Sequence, residues 1–311
     1  MIDRKILLSF WMIFLLISVC AIDSLAQVEK KRQLLNRIVI DAGHGGSAAE
    51  AGKFYGASGK IAEEKDVALA MALQLQSVLK EQMPEIEVIM TRTTDVFNSP
   101  VVKANKANAA KGDLFISLHC NDVAHIQHRE IVGYSTHVTR KRGKKITRKI
   151  PQYSYWTTPN PAKGTETYIW GVGKTKDKEE ALMENNFVDT TIAIYNTLDN
   201  PVNRMVASIR TNEYAQRSRK LAVTVEEEFE KAGRVSRGAK QRDEKGIWVL
   251  QAVAMPAILI ELGFLSNPEE EAYITSVKGQ QEMAEIITRA IQRYKYSLEM
   301  QVQGNKSNLN K

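Results

Sequence analysis

Four residues of the 311-residue chain combine a reactive side chain with a setting that needs one. His44 stands in Asp41-Ala42-Gly43-His44-Gly45-Gly46, where the glycines let the backbone turn tightly and approach a ligand closely. Imidazole is a common zinc ligand, and its second nitrogen needs an acceptor to fix the tautomer. Taken alone, this histidine reads equally well as a hydrogen-bonded turn residue. His119 leaves the apolar run LFISL into Cys120-Asn121-Asp122. A single histidine there is more often a satisfied core residue than a ligand, so its weight comes from its partners. Glu261 ends the apolar run PAILI, and a charge closing a buried strand needs a reason. Desolvation there raises its pKa towards neutrality, which suits a general base that then becomes a general acid. The competing reading is a structural carboxylate capped by backbone amides.

Glu64 is chosen by helical geometry. With residues 63–80 helical at about 100° per residue, Val67, Ala68, Met71, Leu75, Val78 and Leu79 form one apolar stripe. Glu64 falls near the centre of that stripe and Glu63 on its flank, while Leu69 and Leu73 lie off it. A carboxylate facing the core is costly unless it is paired or coordinated to a metal. An acid favoured by the helix dipole is the alternative, and it would suit either glutamate. Two imidazoles and one carboxylate leave a fourth zinc position open, the arrangement of a catalytic site. Metal-assisted hydrolysis follows, with Glu261 carrying the proton. His125 and His128 stand close by in HIQH but are left out of the metal set, because this polar, basic stretch lacks the motif glutamate and the buried face of a zinc-binding helix.

The elements that must position these groups read as alternating strands and helices. RIVIDAG (37–43), EVIMTR (87–92), LFISLHC (114–120), GTETYIWG (164–171) and AILIELGF (257–264) are strand-like, and GIWVLQ (246–251) is a further apolar run. Helices are expected from residue 63, through 102–110, within 176–232 and at about 279–298, with a disordered polar tail over 299–311. This alternation predicts an α/β fold with a parallel or mixed sheet covered by helices, whose strand carboxyl ends gather the functional groups. Residues 1–26 read as a signal peptide, with Arg4 and Lys5 ahead of an apolar stretch and Ser24-Leu25-Ala26 at the cleavage site. An uncleaved membrane anchor is the alternative, since Ile6 to Ile22 approaches spanning length. Export makes nucleic acid an unsuitable partner. The net charge of +7 is concentrated in an insertion over 124–165, where nine Lys and Arg face Glu130 alone. Such a block reads first as a solvated, mobile insertion and second as a dock for an anionic wall or membrane surface.

IVIDAGHGG, EEKDVALAMAL, TRTTD, ANKANAAKGDLFISLHCN, GTETYIW and VLQAVAMPAILIELGFLSNPEE occur in this order across about 37–298. As a set they resemble the zinc-dependent N-acetylmuramoyl-L-alanine amidases of bacterial cell walls. The resemblance implies a single catalytic domain with a central, mostly parallel, twisted six-stranded sheet flanked by helices. It further implies one Zn2+ on His44, Glu64 and His119, with Glu261 as the catalytic glutamate. The substrate would be peptidoglycan, cut between the lactyl group of muramic acid and L-alanine, in the periplasm or cell envelope. Two departures stand out: Ala42 where the family usually has proline, and Lys103 where it usually has arginine. Segment 177–205, including Glu184, corresponds to a region that in some relatives blocks the zinc until an activator protein removes it. The competing functions are a zinc carboxypeptidase on the stem peptide, with Arg92 or the basic insertion binding a free carboxylate, and an inactive peptidoglycan-binding module.

Overall fold

The computed structural model describes residues 34–171, 175–186, 201–242 and 246–309. The leader read at 1–26 and the stretch 187–200 of the expected regulatory segment lie outside these residues. In chain order the elements are β1 (Arg37–Ala42), α1 (Ala48–Ala51), α2 (Glu64–Gln82), β2 (Glu87–Met90), α3 (Pro100–Ala109) and β3 (Leu114–Asn121). They continue with β4 (Ile126–Lys141), β5 (Lys144–Thr158), β6 (Thr165–Trp170), α4 (Thr175–Asn186) and α5 (Pro201–Lys231). The last five are β7 (Ser236–Arg242), α6 (Trp248–Ala252), β8 (Ala257–Phe264), α7 (Pro268–Thr275) and α8 (Val277–Leu309).

Six strands form one sheet in the order β2-β1-β3-β8-β6-β7. All neighbours run parallel except β6 against β8. The expected α/β architecture is therefore present, with a mixed but mostly parallel sheet. Strands buried on both faces read as mainly apolar runs, as β1, β3 and β8 do, with the polar residues Asp41, Ser117, His119 and Glu261 among the exceptions. Alternation sends Val39, Phe115, Ala257 and Leu259 into a core with Ala104 and Ala107 of α3 and Val249 and Leu250 of α6. The intervening Ile38, Ile40, Ile116, Ile258 and Ile260 are fully buried as well. Helix α2 packs on β1 and β3 and is itself covered by α8. Since β1 sends the chain first outward to β2 and then back across to β3, a crevice opens at the carboxyl ends of β1 and β3.

Three elements depart from the sequence reading. The basic insertion is a two-stranded antiparallel hairpin, β4–β5, paired from Ile126/Thr158 to Lys141/Lys144 with one register shift between Ile131 and Gly133. Its turn places Arg142 and Gly143 at positive φ, the geometry of a tight hairpin turn. The tail expected to be disordered instead prolongs α8 to Leu309. The run GIWVLQ, whose element the sequence leaves open, contributes a short helix, α6, while the unexpected β7 forms from SRGAKQR, which lacks an apolar strand pattern because it lies at the sheet edge.

Candidate active site

His44 follows β1 in the left-handed backbone region at φ +55°, a conformation that non-glycine residues adopt rarely and histidine more readily than most. Gly43 makes the turn possible, because a Cβ there would lie 2.6 Å from Cε1 of His119 and 2.7 Å from the Leu118 carbonyl oxygen. The His44 Nδ1 lies 2.6 Å from the carbonyl oxygen of Phe54, so the proton belongs on Nδ1 and the Nε2 lone pair faces inward. Nε2 is 3.0 Å from Oε1 of Glu64, and Nδ1 of His119 is 2.9 Å from the same oxygen. The two imidazole rings meet edge to face at 4.7 Å.

Glu64 is the first residue of α2, where the helix dipole favours a carboxylate. The apolar stripe predicted for that helix is buried, and Glu64 is buried with it. Its Oε1 also accepts the Cys120 amide at 3.1 Å, and its Oε2 accepts the Ala57 amide at 2.9 Å. Glu63 turns away, accepting the Tyr55 hydroxyl at 2.5 Å and facing Lys65 at 3.5 Å. His128 belongs to the hairpin, where it bonds Thr158 and stacks on Trp156. Neither His125 nor His128 joins the cluster.

His44, Glu64 and His119 thus bring three electron-pair donors within 4.8 Å of one another, and the group could hold a metal ion. Tetrahedral zinc with bonds near 2.0–2.1 Å sets its ligand atoms about 3.3 Å apart. The observed 2.9–3.0 Å separations are close to that spacing. The donor set itself fits a cation, since facing lone pairs repel unless a proton or metal lies among them. Electrostatics agree. Burial alone would raise the Glu64 pKa, yet its bonds to His119 and His44 hold it well below the usual carboxylate range. Burial likewise works to lower His44, but Glu64 outweighs it and raises the value, whereas burial wins at His119 and lowers it.

Glu261 lies beside His119 as its register partner in the β3–β8 pair. On its other side, across the antiparallel β6–β8 pair, is Glu166. These neighbouring carboxylates differ in one respect. Glu166 accepts from Arg237 and Lys240, both at 2.6 Å, and from the Tyr168 hydroxyl at 2.7 Å. Glu261 has a buried Oε2 without a hydrogen-bond partner. Burial, reinforced by the negative charge of Glu64, pushes the Glu261 pKa up to about 8. A pocket of about 500 Å³ joins Glu261 to His44, Glu64 and His119, and Phe54, Trp248 and Arg242 are among its lining residues.

A buried polar layer beneath the site was missing from the sequence reading. Asp41 is 1% exposed and accepts from Thr91 and Ser117 at 2.7 Å and from Lys103 at 2.9 Å. Burial favours its neutral form, but Lys103, Ser117 and Thr91 prevail and lower its pKa. Lys103 also donates to the Ala42 carbonyl at 2.7 Å, so this lysine serves an internal ion pair and braces the turn that lacks the family's proline. Asp41 carried the same signal as Glu261, an acid within an apolar strand. Lys103→Met leaves that carboxylate buried without its counter-charge and is expected to cost about 3 kcal/mol of stability, read from urea unfolding. Arg92 gives its guanidinium to the carbonyls of Ala42, Gly43, Lys65 and Thr94, and is 2% exposed. It is therefore spent on the scaffold and offers no seat for a substrate carboxylate.

Residues 38–293 match the family model for N-acetylmuramoyl-L-alanine amidase. N-acetylmuramoyl-L-alanine amidase AmiC of Escherichia coli O6:H1 is 30% identical over 259 residues, which is 83% of this chain and 52% of that protein. The endolysin of Bacillus phage SPP1 is 43% identical over 82 residues, 26% of this chain and 28% of that protein. Among solved structures, the N-acetylmuramoyl-L-alanine amidase from Clostridium difficile 630 aligns with a TM-score of 0.52 at 25% identity, covering 84% of this chain and 96% of that one. Ami1 from Mycobacterium smegmatis shares the fold, with a TM-score of 0.53 at 13% identity over 84% of this chain and 97% of that one. The chain spans about half the length of the curated AmiC relatives it matches.

Proposed function

The chain belongs to the N-acetylmuramoyl-L-alanine amidase family, and on that footing we propose that it is a zinc hydrolase of peptidoglycan, cutting the amide between N-acetylmuramic acid and L-alanine of the stem peptide. One observation carries the reading. A metal-competent His44, Glu64 and His119 group shares a pocket with a buried carboxyl, Glu261, whose pKa is near neutrality and whose Oε2 is unpartnered. His44, Glu64 and His119 would hold the metal, which when bound would polarise the scissile carbonyl and acidify water. Phe54 keeps the His44 tautomer, and the Cys120 and Ala57 amides fix both oxygens of Glu64. Glu261 takes the proton from the attacking water and returns it to the departing L-alanine nitrogen. Its raised pKa lets one carboxyl perform both transfers close to neutral pH.

Stripping the protein with a chelator is expected to abolish clearing of a purified peptidoglycan suspension. One equivalent of Zn2+ should restore it. Clearing that survives complete metal removal would overturn the reading. A carboxypeptidase reading loses Arg92 as its carboxylate seat, and an inactive binding module has no use for an unpartnered Glu261 beside a metal-competent group.

Export to the periplasm or cell envelope, guided by residues 1–26, is part of the same proposal, as is an activator protein working on 177–205. The described portion of that segment supports such a route. In α4 the Lys178 ammonium is fully buried and donates to the carbonyls of Leu250, Val253 and Met255. That grip ties α4 to α6, whose Trp248 and Val249 line the pocket. Glu184 lies in α4, but its side chain falls outside the described residues. Deleting 177–205 is expected to raise basal hydrolysis, and unchanged or lost activity in a folded variant would count against autoinhibition.

A further inference from the structure

We infer that the β4–β5 hairpin is an arm that docks on the surface of an anionic phospholipid bilayer. Two independent features of the same 33 residues lead there. The first is charge: eight Lys and Arg stand against Glu130, and Arg140, Lys141, Arg142, Lys144 and Lys145 surround the turn. The second is apolar exposure. Of the 25 large hydrophobic side chains exposed among the described residues, ten belong to this hairpin. They include Ile131, Val132, Tyr134, Val138, Ile150 and Tyr155. An isolated two-stranded ribbon is marginal in water, and a ribbon that leaves such side chains uncovered is built to meet a second surface.

The residue types select that surface. A hydrated anionic polymer would satisfy the cations but leave Ile131, Val132, Val138 and Ile150 in water. An apolar protein groove would bury those aliphatics but strand the cations between them. By register, Tyr134 and Val138 share a face with Arg140 and Lys145, and Ile150 shares the opposite face with Arg148 and Lys144. The mixture is thus present on both faces. The headgroup zone of an anionic bilayer accepts both kinds of group side by side: tyrosine and tryptophan settle at the interface, lysine and arginine stems snorkel, and acidic headgroups attract the charges. A ribbon this rich in charge meets that zone from its water side, as a peripheral contact.

The arm rises from the rim of the pocket. Asn121 and Asp122 line that pocket and β4 begins at Ile126, about 14 Å along an extended chain. Docking the arm would therefore tether the site to the membrane within the reach of a strand of 16 residues, about 50 Å. The inference takes export from the proposed function but is independent of the hydrolytic chemistry.

Co-sedimentation of the full chain with vesicles tests it, using phosphatidylcholine alone and phosphatidylcholine mixed with phosphatidylglycerol across a salt series. At low salt the mixed vesicles should bind at least about tenfold more tightly than the neutral ones. The variant carrying Arg140→Gln, Lys141→Gln, Arg142→Gln, Lys144→Gln and Lys145→Gln should lose about tenfold in that binding. Tyr134→Ser with Tyr155→Ser should lose severalfold while keeping the salt dependence. Both variants should hydrolyse small soluble muropeptides as the unsubstituted chain does, which separates a failed dock from a failed enzyme and shows the fold is intact. Equal binding to neutral and mixed vesicles, or to neither, would overturn the proposal. So would retention on purified sacculi or on an acidic protein without vesicle binding, or indifference to the tyrosine changes.

Discussion

Glu261→Gln is expected to lower kcat by about 10³-fold, within the range for a positioned acid–base group, with zinc content and KM nearly unchanged. Glutamine fills the same volume at the end of β8 but carries no transferable proton, so the loss isolates proton transfer from packing. A second readout separates this role from a structural one. In the metal-free protein the Glu261 pKa stands at about 8 against 4.5 for an ordinary glutamate. The folded state thus binds a proton that the unfolded state has released between those values. The stability carried by that proton is complete below pH 4.5 and is lost as pH rises through about 8. Glutamine has no such loss. Metal-free Glu261→Gln should therefore melt with the unsubstituted chain at acid pH and above it at pH values beyond the folded pKa. Equal melting at both ends, or a kcat loss under tenfold, would remove Glu261 from the proton-carrying role.

The second large effect concerns Glu64. Glu64→Ala takes away one of the three groups that could hold a metal and strands two backbone amides, those of Cys120 and Ala57, which now bond its carboxylate. Losing the several kcal/mol of transition-state stabilisation that a bound metal supplies corresponds to a fall of about 10³-fold or more in kcat/KM. Zinc retained through dialysis should fall with it. Glu63→Ala is the paired control, because its half-buried carboxylate faces Tyr55 and Lys65 and lies outside the His44, Glu64 and His119 group. A change away from that group is expected to alter activity by no more than about twofold. If Glu63→Ala and Glu64→Ala exchanged phenotypes, the assignment built on the helix stripe would be wrong.

That assignment explains why so much of the site could be read from residues alone. The period of α2 distinguishes two adjacent glutamates because a helix fixes directions to within a fraction of a turn, and burial of Val67, Met71 and Leu75 leaves Glu64 only one side to face. His44, His119 and Glu261 were legible because polar groups at the ends of apolar strands are costly and therefore rarely idle. Asp41 met the same criterion and was passed over, since its partners Thr91, just past β2, Lys103 of α3 and Ser117 of β3 come from separate segments that only the fold brings together. Phe54 acts through its backbone carbonyl, which no side-chain pattern can signal. The hairpin was hidden for another reason. Its strands are exposed on both faces, so the alternation that marks a half-buried strand is absent, and cations at β4 and β5 positions read as a solvated run. Likewise β7 pairs at a sheet edge with charged residues and carries little apolar signal. Core-facing elements write their burial into the sequence, while edge strands and free ribbons do not.

Purified peptidoglycan digested with the zinc-loaded protein, with the released fragments analysed by mass, tests the central claim most directly. Expected are intact stem peptides bearing a free L-alanine amine, with muramic acid recovering its free lactyl carboxylate, and no such products from Glu261→Gln or from chelator-treated protein. Release of terminal D-alanine with the muramic acid amide left whole would contradict it.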